Sequence, residues 1–332
     1  MFIGRVLGSL FLLFVHFRKL KLTYSVQAVV HTLILLIIFV PIYVEPTEMA
    51  KSLLLIGTLA SGFCRTFILI IKVLFMNQAD PNEDKVCLTS WVMIIRLGDA
   101  AGLFLLRILL EAGVKEDHGL IIFTSLLLLA SVLQHLAVDE VEQPEAAQQG
   151  CDYIRETYQN LKVFFLVTRN WMWLVKATAL NIFYYTLLLW TPYYFDEVGL
   201  QKYTLVISIM YPLANFLSTM ILTYLLSFCD HLTPLVNNLC YLINIGIGVA
   251  LLALEPREEN TLLFMAAIGG MGFCTGFGYS RATIVEMMLL TEGNARLLRQ
   301  VTFFDGIFRQ GVIALAMFLL GLLIEKGKHF GT

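Results

Sequence analysis

Long apolar runs separated by short polar breaks make up most of this chain. Read for stretches long enough to cross a bilayer, the pattern predicts ten helical spans. They fall at roughly 2–17, 22–44, 49–76, 90–111, 118–138, 171–195, 203–227, 233–254, 261–290 and 300–324. One polar break is long. From Asp139 to Asn170 it carries Glu140, Glu142, Glu145, Asp152, Arg155, Glu156, Lys162 and Arg169, punctuated by Pro144 and Gly150. The pattern therefore predicts an N-terminal bundle of five helices over 1–138, a central loop over 139–170, and a C-terminal bundle of five over 171–332.

Composition sharpens the class. Of 332 residues, 58% are hydrophobic and 14% charged. Soluble domains are about half apolar and about a quarter charged. The expected fold is an all-α membrane protein. Net charge is −2 and no basic run is long, so nothing points to nucleic acid. The six cysteines (Cys64, Cys87, Cys151, Cys229, Cys240 and Cys274) show no Cys-x-x-Cys spacing. Several sit inside apolar runs, so neither a disulfide framework nor a zinc site is implied. Basic residues divide unevenly between alternate connections. Arg18, Lys19, Lys21, Lys85, Arg155, Lys162, Arg169, Arg296 and Arg299 share one side; Lys51, Lys115, Lys202, Arg257, Lys326 and Lys328 share the other. The more basic side is expected in the cytoplasm, together with the central loop and the loop at 291–299.

The chain also echoes itself. At an offset of 210, Glu45-Pro46 matches Glu255-Pro256, Glu48 matches Glu258, Gly62-Phe63-Cys64 matches Gly272-Phe273-Cys274, and Phe67 matches Phe277. At 209, Val92 matches Val301 and Gly102 matches Gly311. Duplicated halves are a mark of many secondary transporters, whose substrate site lies between the repeats near the midplane. The register makes 2–17 the counterpart of 203–227, which favours a membrane span there over a signal peptide. It also predicts halves of six helices, of which this chain lacks the first of half one and the last of half two. A ten-helix protein and an incomplete sequence are both compatible with that pattern.

Two halves, a polar central loop and short links resemble the major facilitator superfamily. Two stretches are narrower. Leu189-Trp190-Thr191-Pro192-Tyr193-Tyr194-Phe195 looks like the Trp-x-Pro-x-Tyr helix end of organophosphate and sugar-phosphate exchangers. Gly293-Asn294-Ala295-Arg296, followed by Val301-Thr302 and Asp305-Gly306, is similar to the loop and penultimate helix of the eukaryotic sugar-phosphate exchanger (glycerol-3-phosphate permease-like) family. The resemblance implies antiport by alternating access. A phosphorylated small molecule would exchange against phosphate as counter-substrate, across a membrane such as that of the endoplasmic reticulum, with no cofactor. The chain also departs from the family. Where members carry a basic residue near the middle of helix 171–195, it has Asn181, Tyr184 and Tyr185. The Gly-Trp-Pro turn is replaced by Gly62-Phe63-Cys64-Arg65.

Candidate chemistry lies in charges within the apolar runs. Each costs about 2.5–3.5 kcal/mol at mid-bilayer, so each must face protein or water. Arg65, Arg96, Arg281 and Arg309 lie inside spans, whereas Lys72 and Arg107 sit near ends and are expected to snorkel. Arg96 and Asp99 share a helix face at three residues' spacing, as do Asp305 and Arg309 at four. The repeat places Arg96 opposite Asp305 in register. Thr178, Asn181 and Tyr185 form one polar stripe. The candidate substrate-binding set is Arg65, Arg96, Asn181, Tyr185, Asp305 and Arg309. The competing reading is that each acid–base pair only neutralises itself and that the stripe packs helices. His31, His135 and His231 are isolated, and no nucleophile–base or metal constellation suggests an enzyme.

The expected function is a secondary transmembrane transporter, exchanging an organophosphate or sugar phosphate against phosphate. The alternatives are a facilitator-type transporter of another organic solute and a truncated membrane protein that does not transport.

Overall fold

The structure is a computed structural model. It describes residues 1–15, 20–43, 48–79, 116–137, 151–254 and 257–330, with scattered positions between 89 and 114. In chain order the helices are α1 (Phe2–Phe14), α2 (Leu20–Tyr43), α3 (Glu48–Arg65), α4 (Ile68–Gln78), α5 (Glu116–Ala137) and α6 (Cys151–Leu166). Next come α7 (Thr168–Glu197), α8 (Thr204–Ser227), α9 (Thr233–Ala253), α10 (Thr261–Ser280), α11 (Glu286–Leu290) and α12 (Ala295–Phe330). The described residues contain no strand. Apolar runs of this length have no water to satisfy backbone N–H and C=O groups in a bilayer, and a helix satisfies them within the segment.

Among the described residues six stretches are long and apolar enough to cross a membrane: Glu48–Asn77, Thr168–Phe195, Thr204–Ser227, Thr233–Leu251, Glu258–Leu290 and Ala295–Leu323. Phe2–Phe14 and Lys21–Ile37 are shorter apolar helices. This is a multi-pass, all-α membrane protein. Most of the expected span at 90–111 lies outside the described residues, as do Arg18, Lys19, Lys85, the Glu-Pro pairs at 45–46 and 255–256, and 138–150 of the central loop. Residues 151–166 of that loop form α6.

The chain divides into two compact units. The first holds 1–78, 112–174 and 293–332. Its centre is α1, which packs on both α3 and α12. Gly4 and Gly8, one turn apart, let the α1 and α3 backbones touch. A Cβ on Gly4 would lie 2.0 Å from the Leu59 carbonyl oxygen, and one on Gly8 2.7 Å from that of Phe63. This is the small-xxx-small device of close helix contact. On the other side of the crossing, a Cβ on Gly62 would meet the Met1 carbonyl oxygen at 2.1 Å. The span α3–α4 is not straight. Between them, Thr66 N–H donates to Phe63 O (3.2 Å) and Phe67 N–H to Cys64 O (3.1 Å), a tightened turn at Arg65–Phe67.

The second unit holds 79–111 and 175–292. Here α8 packs along α10. A Cβ on Gly272 would lie 2.4 Å from the Tyr211 carbonyl oxygen, and one on Gly276 2.2 Å from that of Asn215. A polar rung joins the same helices: Tyr211 Oη and Thr275 Oγ1 are 3.0 Å apart, and Thr219 Oγ1 and Ser280 Oγ 3.2 Å. One π-helical turn, Arg281–Val285, interrupts the run between α10 and α11.

Local sequence explains the entry to α12. Gly293 takes a left-handed φ of +72°, which glycine adopts without strain. Asn294 then caps the helix, its Oδ1 accepting the Leu297 N–H at 3.0 Å.

Candidate functional site

Asp305 and Arg309 are one turn apart on α12, and the Arg309 guanidinium donates to Asp305 Oδ2. Gly306, beside the acid, is what lets other helices reach this point. A Cβ there would lie 2.7 Å from Ser9 Oγ on α1 and 2.9 Å from Leu69 Cδ1 on α4. Lys72 lies three residues beyond Leu69 and so shares its helix face. Its ammonium feels the charges of both Arg309 and Asp305. Four residues before Ser9, Arg5 donates from Nη1 to Gln310 Oε1 at 3.3 Å and lies over the Phe2 ring.

The balance of charge is one-sided. Lys72 is 5% exposed, Arg309 7% and Arg5 7%, against a single carboxylate, Asp305, at 0%. No other acid is buried among the described residues, while Arg299 is a further buried cation whose Nη2 donates to the Val15 carbonyl at 3.1 Å. Asp305 Oδ1 and Ser9 Oγ are buried and make no hydrogen bond among the described residues. A buried polar atom without a partner is costly, and such atoms mark places where a ligand or water completes the network. Chemically, this is a buried cluster with more basic than acidic side chains. It holds one carboxylate oxygen free to accept a hydrogen bond and one hydroxyl free to donate one.

The expected residues fall in both units. Asp305 and Arg309 come together with Lys72. Lys72 was expected to snorkel to the interface, but the structure buries it, because the turn at Arg65–Phe67 redirects α4 onto α12. Arg65 ends α3 with an exposed side chain and acts electrostatically on His31, whose Nε2 bonds Ser61 Oγ at 2.9 Å. Arg96 and Asp99 lie outside the described residues. In the second unit, Asn181 is buried and its side-chain amide donates to the Ala177 carbonyl at 3.0 Å. Tyr185 stands edge-on to Tyr184 at 5.5 Å.

Ser9, which meets Gly306, carried no sequence signal, and Lys72 was visible only as a charge near the end of its run. In the second unit, Lys176 on α7 pairs with Glu286, at 2.7 Å to Oε1 and 3.0 Å to Oε2. The π-helical turn just before Glu286 inserts a residue and rotates the helix beyond it by about 100°. That rotation sets the direction in which Glu286 faces. Among the described residues no group of three or more His, Cys, Asp or Glu could hold a metal. Comparison with known protein families, with curated proteins and with solved structures finds no match to this chain.

Proposed function

We propose that the chain is a secondary transporter built from two repeat-related halves in the manner of the major facilitators. It exchanges an organophosphate or sugar phosphate against inorganic phosphate by alternating access. The observation that carries this reading is the buried set of Lys72 and Arg309 with the single carboxylate Asp305, inside helices long and apolar enough to cross a membrane, with Arg5 buried on the neighbouring α1. Ionisable side chains at such depth mark ion and substrate paths. A dianion stripped of water needs compensating cations and several donors, which Arg and Lys supply. Asp305 pairs with Arg309 as a resident anion. An entering phosphate competes for that guanidinium and for Lys72, while Asp305 Oδ1 and Ser9 remain for a hydroxyl of the organic group.

The duplication has support in the contacts within each unit. Gly62 lies against the backbone of residue 1, and Gly272 against that of residue 211. Thr66 Oγ1 donates to the Arg5 carbonyl at 3.1 Å, and Gly276 abuts the Asn215 carbonyl. Gly8 abuts Thr66, and Ser218 abuts Gly276. Every pair is related to its counterpart by the offset of 210 that relates Gly-Phe-Cys to Gly-Phe-Cys.

The test is counterflow into proteoliposomes loaded with phosphate. Labelled phosphate is expected to accumulate only in loaded vesicles, with sugar phosphates competing and free sugars not. Lys72→Met and Arg309→Met are expected to lower counterflow to the level of protein-free liposomes. Absence of counterflow in the unaltered protein would remove the proposal. The direct Asp305–Arg309 bond favours a second reading, an uncharged organic solute. Free sugars competing as well as their phosphates would select it.

A further inference from the structure

Helix α6 has two unlike faces. Tyr153, Thr157, Leu161 and Phe164, spaced by four, four and three, are buried. Polar contacts fix that face to α12. Asn160 Nδ2 donates to Gln300 Oε1 at 3.1 Å, Gln300 Nε2 donates to Thr157 Oγ1 at 3.0 Å, and Arg296 pairs with Glu156 at 2.6 Å. The opposite face exposes Ile154, Tyr158 and Val163 alongside Arg155 and Lys162. Exposed apolar side chains mixed with cations suit the headgroup level of a membrane.

Where α6 meets α1 and α12, the first unit leaves a groove of about 580 Å³. That volume is within the range of ligand sites. Its wall is apolar, with Leu10 and Leu13 from α1, Leu161 from α6, and Phe304 and Ile307 from α12. Three polar residues line it: Arg155, Thr157 and Tyr158. The Thr157 hydroxyl already serves Gln300. Tyr158, 67% exposed, has the amphipathic ring that suits a headgroup level. Glu156 is held by Arg296, and among the described residues no carboxylate pairs with Arg155.

We propose that this groove is a phospholipid site, in which one acyl chain lies along Leu10, Leu13, Phe304 and Ile307 and Arg155 holds an anionic headgroup. The occupant is indicated by three features. The wall is apolar along its length and so rejects a polar solute. Arg155, which lines the groove, has no carboxylate partner among the described residues and belongs to α6, whose exposed face suits the headgroup level. The bilayer around a multi-pass protein supplies such amphiphiles at high local concentration. Arginine rather than lysine at that point matches the forked geometry of phosphate and carboxylate oxygens. Lys162, seven residues further along α6 and exposed, adds to the positive field on the same face. The site stands on the membrane assignment alone and does not depend on transport.

The test uses the full chain in nanodiscs carrying photoactivatable phosphatidylserine or phosphatidylcholine, labelled on the acyl chain. Cross-links are mapped by peptide mass spectrometry. The expected result is labelling concentrated in 2–14, 151–166 and 300–310, several-fold stronger with phosphatidylserine. Leu10→Trp, a change at an exposed position that narrows the groove, is expected to remove that labelling while the protein still elutes as one species. Arg155→Gln is expected to bring phosphatidylserine labelling down to the phosphatidylcholine level without abolishing either. Labelling spread alike over all apolar helices, or unaltered by Leu10→Trp, would overturn the site. Equal labelling by the two lipids in the unaltered protein would overturn the headgroup assignment.

Discussion

Asp305 is the residue on which the first unit's interior depends most. It is fully buried, and its only hydrogen-bond partner among the described residues is Arg309, one turn away, with Lys72 within its field. Removing one partner of a buried pair leaves an uncompensated charge and costs about 3–5 kcal/mol, whereas removing both is much milder. Asp305→Asn is therefore expected to lower stability by about that amount. The double variant Asp305→Asn with Arg309→Met is expected to regain most of the loss. Thermal unfolding of the purified protein in detergent reads both. A double variant as unstable as the sum of the two singles would show that the residues are not coupled. The pair itself was legible in the sequence, because charges four apart in an apolar run can only share a face. The third member was not. Lys72 sits near the end of its run, where a lysine ordinarily reaches the interface. Its burial results from a tightened turn six residues earlier and from Gly306 on a helix more than two hundred residues away.

At the scale of elements, close backbone contact through glycine holds the crossings of α1 with α3 and of α8 with α10. Gly276 has the tightest surroundings in the second crossing, since an added Cβ would lie 2.2 Å from Asn215 O and 2.3 Å from Ser218 Oγ. Gly246, on α9, meets nothing within 4 Å. Gly276→Ala is expected to cost about 1–3 kcal/mol through overpacking. Gly246→Ala is expected to be neutral or to gain up to about 1 kcal/mol by removing backbone freedom from the unfolded chain. Midpoints of thermal unfolding compare the two directly. Equal midpoints would show that the crossing is looser than its glycines imply. The positions of most helices were legible, because an apolar run of bilayer length has one backbone solution. Helix α6 was hidden by the charges around it, although Tyr153, Thr157, Leu161 and Phe164 already marked its buried stripe. The π-helical turn at Arg281–Val285 left no trace in the sequence. Its residues suit an α-helix equally well, and only the pairing of Lys176 with Glu286 shows what the extra residue achieves.

For the whole molecule, ion pairs between connections constrain how the chain threads the membrane. Glu156 and Arg296 are bonded within the first unit, so they lie at one face of the bilayer. Between them run four stretches each able to cross: Thr168–Phe195, Thr204–Ser227, Thr233–Leu251 and Glu258–Leu290. An even number of crossings returns the chain to the face it left, as the bond requires. Lys202 and Glu258 are bonded within the second unit, and two of those stretches separate them, again an even number. Had any one of the four been a buried helix that does not cross, at least one of the two bonds would join opposite faces. The parity argument predicts a pattern of accessibility. In a background without native cysteines, single cysteines replacing Gln159, Asp230 or Glu292 are expected to react with a membrane-impermeant thiol reagent from one side of sealed vesicles. Cysteines replacing Gln201 or Glu259 are expected to react only once the vesicles are opened, or the reverse if the vesicles are everted. By the excess of Lys and Arg around the first group, that side is expected to be the cytoplasmic one. A cysteine at 230 that reacts together with those at 201 and 259 would show that α8 does not cross. The ion pairs at Glu156 and Lys202 would then no longer describe one threading.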